Sequence, residues 1–207
     1  MRTRLSTVGR MRGHPPLATV AATAALLACA SCAGTSEPAP NTRTSSTATT
    51  RTTTAPTGPL TLTRGRGFDR TGAFTSLMTC DDPRDYSPGL NFANVPTGTR
   101  ELALTMVDLD VHKIHWLQLG IPPSAHGISA HHLLPGAREA LNDFGEATYD
   151  GPCPPHGSTH RYELTLYALH EPMPTSFDGS TPPAQTLQEI KRRAFASATL
   201  VAPYTRH

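Results

Sequence analysis

From residue 59 onward the apolar positions fall in short runs separated by turn-forming residues. Leu60 and Leu62 alternate with Thr61 and Thr63, the two-residue period of a half-buried strand. Residues 87–92 and 94–99, rich in Pro, Gly and Asn, bracket a brief extended piece. The run 102–107 is almost continuously apolar, short and without helix caps, which predicts a buried central strand ending in Asp108-Leu109-Asp110. A second such run, 114–121, contains His115 and Trp116 and is closed by Pro122-Pro123. Residues 124–150 read as loop, and 162–169 as a further strand. Thr181 followed by Pro182 and Pro183 predicts one helix over about 184–197, capped by Thr181, with Leu187, Ile190 and Phe195 on its inner face. Residues 200–202 suggest a last strand. Short strands, many turns and one late helix predict a mainly β sandwich.

The first 58 residues follow a different pattern. Arg2, Arg4, Arg10 and Arg12 precede an apolar stretch, 17–28, that ends in small residues. This is the layout of a secretory signal, with a core too short for a permanent membrane span. Met11 is an alternative start, because Arg12 and the stretch after it already complete such a signal. Leu26-Leu27-Ala28-Cys29 resembles a bacterial lipobox, which makes Cys29 the expected lipidated residue and Cys32 the alternative. Residues 29–58 are dominated by Ser, Thr, Pro and Ala, too little apolar surface to fold, and read as an extended tether. The expected organisation is a signal over 1–28, a tether over 29–58 and a folded domain over 59–207. The expected location is outside the cytoplasm, anchored to the membrane by lipid.

Charge changes the picture once these parts are separated. The formal net charge of the whole chain is +2. Four arginines and no acid in 1–28, and Arg43 and Arg51 against Glu37 in 29–58, leave residues 59–207 with a formal −3. A mildly acidic domain without a basic stripe argues against a nucleic-acid partner.

The chemistry concentrates in three places. Gly151-Pro152-Cys153-Pro154-Pro155 is a stiff loop, since each proline fixes φ and lacks an N–H. It leads to His160 and Tyr162, which as an i, i+2 pair on a strand share a side. Asp108 and Asp110 end one buried run on the same logic, and His115 beside Trp116 opens the next. Three readings follow. In the first, the imidazoles and loop N–H groups hold a small anion or polar headgroup, with the carboxylates orienting the rings. In the second, His115, His160 and Asp108 hold a metal, although no close His-x-His or His-x3-His pair supports one. In the third, Asp108 caps a turn and both histidines are satisfied in the core. Asp143-Phe144-Gly145 spells a kinase metal motif, but no Gly-rich loop, strand lysine or catalytic loop accompanies it. No Gly-x-Ser-x-Gly is present. No catalytic residue, cofactor or metal ligand is assigned.

Read in order, these residues resemble a known family. The motifs are 87–92 with 95–99, Asp108-Leu109-Asp110, His115-Trp116, residues 142–145, and Gly151-Pro152-Cys153-Pro154-Pro155 with His160-Arg161-Tyr162. The ordered set, covering roughly 60–204, resembles the phosphatidylethanolamine-binding protein family in its bacterial Raf-kinase-inhibitor-like branch. The resemblance implies an antiparallel β-sandwich with Greek-key features and a few peripheral helices, one near the C-terminus. It also implies a pocket for phosphate, acetate or phosphoethanolamine-like groups, lined here by Asp108, Asp110, His115, Trp116, Gly151, Pro152, Pro154, Pro155, His160 and Tyr162. It places the turn at Cys80 near the proline loop, which makes Cys80–Cys153 the expected disulfide in an exported protein. The sequence departs from the family pattern at Leu109, Val111-His112 and Asn91-Phe92, and in the short insert before His115. The expected function is binding of a small anion or phospholipid headgroup without catalysis. The alternative is inhibition of an extracytoplasmic protease or kinase through the loops of 124–150. A metal-dependent hydrolase is the third reading.

Overall fold

The computed structural model describes residues 58–207; the signal segment, Cys29, Cys32 and the tether up to residue 57 lie outside the described residues. In chain order the elements are β1 (Thr61–Arg64), a 3-10 turn (Ser76–Met78), β2 (Leu90–Ala93), β3 (Glu101–Asp108), β4 (Lys113–Ile121), β5 (Gly127–Ile128), β6 (Arg138–Glu139), β7 (Thr159–Leu169), α1 (Pro183–Arg193) and β8 (Ala194–Thr205). They build two antiparallel sheets, one in the order β1-β2-β5 and one in the order β6-β4-β3-β7-β8. The mainly β sandwich read from the apolar runs is the fold that forms.

The core explains why β3 and β4 are apolar at nearly every position. Leu62, Leu90, Phe92 and Ile128 of the small sheet meet Leu104, Met106, Trp116, Leu164 and Leu166 of the large sheet in one cluster. On the outer face of the large sheet, Ala103, Leu117, Leu119, Tyr167 and Leu169 pack with Ile190 of α1 and with Met173. A sheet covered on both faces has no solvent side on which polar residues would alternate.

Three expectations are corrected. The helix ends at Arg193, and Ala194, at φ −71° and ψ 138°, is already extended. Phe195 is therefore on β8, 36% exposed and stacked on His170 at 4.1 Å, and not on the helix's inner face. Pairing of β8 along the whole of β7, from Thr159 opposite Thr205 to Leu169 opposite Ala194, overrides the helical repeat of 194–197. Pro182 stands at the cap position, while the Thr181 hydroxyl donates to the Ser176 carbonyl instead. The loop 124–150 contains β5 and β6, each two residues long and each attached to the edge of a sheet.

Candidate ligand-binding site

β3 ends at Asp108, and its side chain turns into the fold, 2% exposed. Asp108 Oδ1 accepts the N–H groups of Asp110 and Val111, which shapes the turn into β4. Its Oδ2 accepts Nδ1 of His160 at 2.7 Å. Both oxygens of this buried carboxylate are thus met by donors, as burial of a charge requires. The same Nδ1 contact leaves Nε2 of His160, whose side chain is 16% exposed, directed away from the pair.

Asp110 does not join Asp108. It lies beyond the strand, where the same-side rule no longer applies, and takes the Arg161 N–H at 2.7 Å and its guanidinium at 3.0 Å. Those contacts hold the Asp110 carboxyl below its ordinary range. The Asp110–Arg161 pair ties the β3–β4 turn to β7 from the outside.

His115 is brought in by a break in the ladder. Met106 faces Trp116 and Val107 faces Ile114, so His115 is the extra residue of a β-bulge. The bulge lets Ile114 pack on the outer face while Trp116 enters the core between the sheets. His115 is 3% exposed and donates Nδ1–H to the Asp150 carbonyl at 2.9 Å. Its ring meets Phe144 edge-on at 4.8 Å and Tyr162 at 5.2 Å. Burial pushes its pKa below the ordinary 6.5, with the Asp150 carbonyl and the Asp108 charge opposing. Tyr162, opposite Asp108 in register, is fully buried, and its hydroxyl has no hydrogen-bond partner among the described residues. Burial, with Asp108 second, raises its pKa well above 10. Asp108, His115, His160 and Tyr162 therefore form one cluster.

The proline loop is pinned beside this cluster. Cys80 and Cys153 form a disulfide. The Gly151 N–H donates to Asp85 Oδ2 at 2.9 Å, the Cys80 N–H to the Pro152 carbonyl at 3.3 Å, and the Tyr149 hydroxyl to the Met78 carbonyl at 2.7 Å. A Cβ on Gly151 would stand 2.0 Å from Asp85 Oδ1 and 2.6 Å from the Met78 carbonyl oxygen, so the loop crosses this turn only with glycine there. Gly151, Pro152 and Pro154 are buried, and Pro155 is exposed.

Trp116 belongs to a different place. It is 1% exposed and donates Nε1–H to Glu139 at 2.8 Å, lining a cavity of about 320 Å³ that excludes Asp108, His115, His160 and Tyr162. A larger cavity of about 580 Å³, lined by Arg66, Tyr86 and Asn91 among others, excludes them as well. The candidate site is thus defined by converging side chains and not by either cavity.

Three supporting residues carried no signal of their role. Asn142, 1% exposed, donates to the carbonyls of His115 and Thr148 and to Asp150 Oδ2, and accepts the N–H groups of Phe144 and Glu146. Asp143 Oδ2 accepts the Ile114 N–H at 2.7 Å. The residues that spell a kinase motif are thus a hub that fixes the start of β4. Asp85, which seats Gly151, is 66 residues away in sequence.

Comparison with known proteins follows the same boundaries. The family model described as phosphatidylethanolamine-binding protein matches residues 65–205. A UPF0098 protein of Methanothermobacter thermautotrophicus is 32% identical over 147 residues, covering 67% of this chain and 95% of that one. A protein named lipoprotein LppC, from Mycobacterium tuberculosis, is 32% identical over 124 residues, covering 58% of this chain and 60% of its own length. The crystal structure of a phosphatidylethanolamine-binding protein homologue from Chlamydia trachomatis superimposes with a TM-score of 0.63 at 25% identity, over 72% of this chain and 99% of that one. Escherichia coli YbcL shares the fold, with a TM-score of 0.64 at 23% identity, over 72% of this chain and all of its own.

Proposed function

The chain belongs to the phosphatidylethanolamine-binding protein family, and from that premise we propose that it binds a small anion or phospholipid headgroup, phosphate- or phosphoethanolamine-like, and catalyses no reaction. The observation that carries this reading is the buried cluster of Asp108, His115, His160 and Tyr162 beside a loop clamped by a disulfide. The Tyr162 hydroxyl is a donor without a partner, and His160 Nε2 and His115 Nε2 remain after each Nδ1 is engaged. Both oxygens of Asp108 are already turned to three donors, which lessens the repulsion that an anion beside it meets. His115 is held neutral by burial, so an anion that takes a hydrogen bond from its Nε2 must bring a proton onto the ring. Binding is then coupled to proton uptake and tightens as pH falls.

The same proposal covers location. The arginine-led apolar stretch and Cys29, together with a relative named as a lipoprotein, support an exported protein anchored to the membrane through lipid. Calorimetric titration of the full chain with phosphate and phosphoethanolamine tests the binding. A His115→Ala/His160→Ala double variant, checked for fold by circular dichroism, is expected to lose it. Equal affinity in both proteins would overturn the assignment of the site, and release of phosphate from phosphoethanolamine would overturn the non-catalytic reading.

A further inference from the structure

The cavity beside Trp116 has an unusual wall. Trp116 and Gln118 are an i, i+2 pair on β4 and share a face, and Glu139 of β6 stands directly opposite Gln118 in register. Gln118 is 1% exposed, and its Oε1 is buried without a hydrogen-bond partner. Asp85, also on the wall, has Oδ2 on the Gly151 N–H and Oδ1 buried without a partner. Glu139 Oε1 accepts Trp116 Nε1–H, and its Oε2 meets no donor among the described residues. A buried acceptor left unmet costs about 1–3 kcal/mol, and two lining residues of this space of about 320 Å³, Gln118 and Asp85, each carry one. The cations on the rim do not fill the need. Arg84 is engaged by both oxygens of Asp82, and the His131 ring stacks on Tyr86 at 4.0 Å. His132 is exposed. Trp116 and Tyr149, edge-to-face at 5.3 Å, supply aromatic surface on the same wall.

We propose that this cavity is a second binding site, for a primary alkylammonium, with Gln118 Oε1, Asp85 and Glu139 accepting its N–H groups and Trp116 packing against its alkyl portion. An ammonium has three donors and no acceptor, which matches a wall of unmet acceptors. Its charge complements two carboxylates whose burial raises their pKa, and an adjacent indole adds cation–π attraction. An anion would face the same two carboxylates. The site shares Asp85, which also seats Gly151, with the loop beside the Asp108–His160 cluster, but does not rest on the reading of that cluster.

Trp116 is the only tryptophan of the chain, so intrinsic tryptophan fluorescence of the full-length protein reports on this wall alone. Titration with n-butylammonium is expected to give a saturable change, while butyrate and n-butanol, of similar size, give none. Glu139→Gln keeps an oxygen for Trp116 Nε1 and removes the charge, and is expected to weaken n-butylammonium at least 10-fold. Gln118→Leu is expected to weaken it by a similar factor. Vesicles of phosphatidylethanolamine, run beside phosphatidylcholine vesicles, separate a lipid-borne ammonium from a free one. A response to phosphatidylethanolamine alone among the vesicles would make the source a headgroup, and no vesicle response would make it a free amine. No saturable change with n-butylammonium, equal responses to butyrate or n-butanol, or unchanged affinity in folded Glu139→Gln would overturn the proposal. Phosphate affinity of Glu139→Gln at the wild-type value is the expected sign that the two sites are separate.

Discussion

His160 Nδ1 lies 2.7 Å from Asp108 Oδ2, and this contact bridges β3 and β7 just past the last rung of their ladder, where Asp108 faces Tyr162. The pair does two jobs. It closes the open end of the ladder and it fixes the ring of an imidazole whose other nitrogen points outward.

Removing the carboxylate should therefore cost stability as well as orientation. Asp108→Ala strands the N–H groups of Asp110 and Val111 and the His160 Nδ1–H. Hydrogen bonds to a charged, buried acceptor contribute about 1.5–3 kcal/mol each, and part of the lost set is recovered by water. A net loss of about 2–3 kcal/mol in urea unfolding is expected. A loss below about 0.5 kcal/mol would mean that the turn is held by other contacts.

His115 should make stability depend on pH in a defined direction. Its pKa in the folded protein is lowered by burial, so below 6.5 the unfolded chain binds more protons than the folded one. Stability is then fully present above 6.5 and is lost as pH falls from 6.5 toward the folded value. The gap in unfolding free energy between the wild type and His115→Gln should shrink between pH 7.5 and 5.5. A gap that stays constant or widens would show that the ring is not held neutral. With phosphate present, the same ring should titrate at higher pH, which histidine C–H resonances would show.

The apolar runs of β3, β4 and β7 were legible because both faces of the large sheet are covered, so hydrophobicity alone marks them. β8 was legible only at 200–202; its first residues, 194–197, read as the end of the helix with Phe195 on the helix's inner face, and pairing with β7 makes them a strand. Asp108 and His160 were legible as strand-end residues, whereas Asp110 was misplaced because the strand stops two residues earlier. Nothing in the sequence announces the bulge that orients His115, or the contact of Asp85 with Gly151, since both depend on partners distant along the chain.

Gly151→Ala tests how tightly the loop is seated. The added Cβ meets Asp85 Oδ1, the Met78 carbonyl and the Thr79 Cα, two of them backbone atoms that cannot rotate away. Overpacking of this kind costs about 1–3 kcal/mol, and the loop is expected to shift, so phosphate binding should weaken along with stability. Gly98→Ala is the control. It has open space around its Cβ and strain only from φ +90°, so it should lose stability without affecting phosphate. Equal effects of the two on phosphate affinity would separate the loop from the site.

The disulfide should contribute in two separable ways. Cys80 and Cys153 are 73 residues apart, and closing so long a segment restricts the unfolded chain, typically by about 2–4 kcal/mol. That part appears in any unfolding measurement on Cys80→Ala/Cys153→Ala. The second part is local. The bridge holds the proline loop against the turn that also carries Asp81, whose carboxylate accepts the Tyr204 hydroxyl and Arg206 Nε from the end of β8. Loss of the bridge leaves the Gly151–Asp85, Tyr149–Met78 and backbone Cys80–Pro152 hydrogen bonds as ties to the 78–85 segment. Phosphate affinity at 25 °C, where the variant is still folded, is therefore expected to fall severalfold. A variant that loses stability but keeps full affinity would show that the other ties suffice to seat the loop, and that the disulfide acts on the unfolded chain alone.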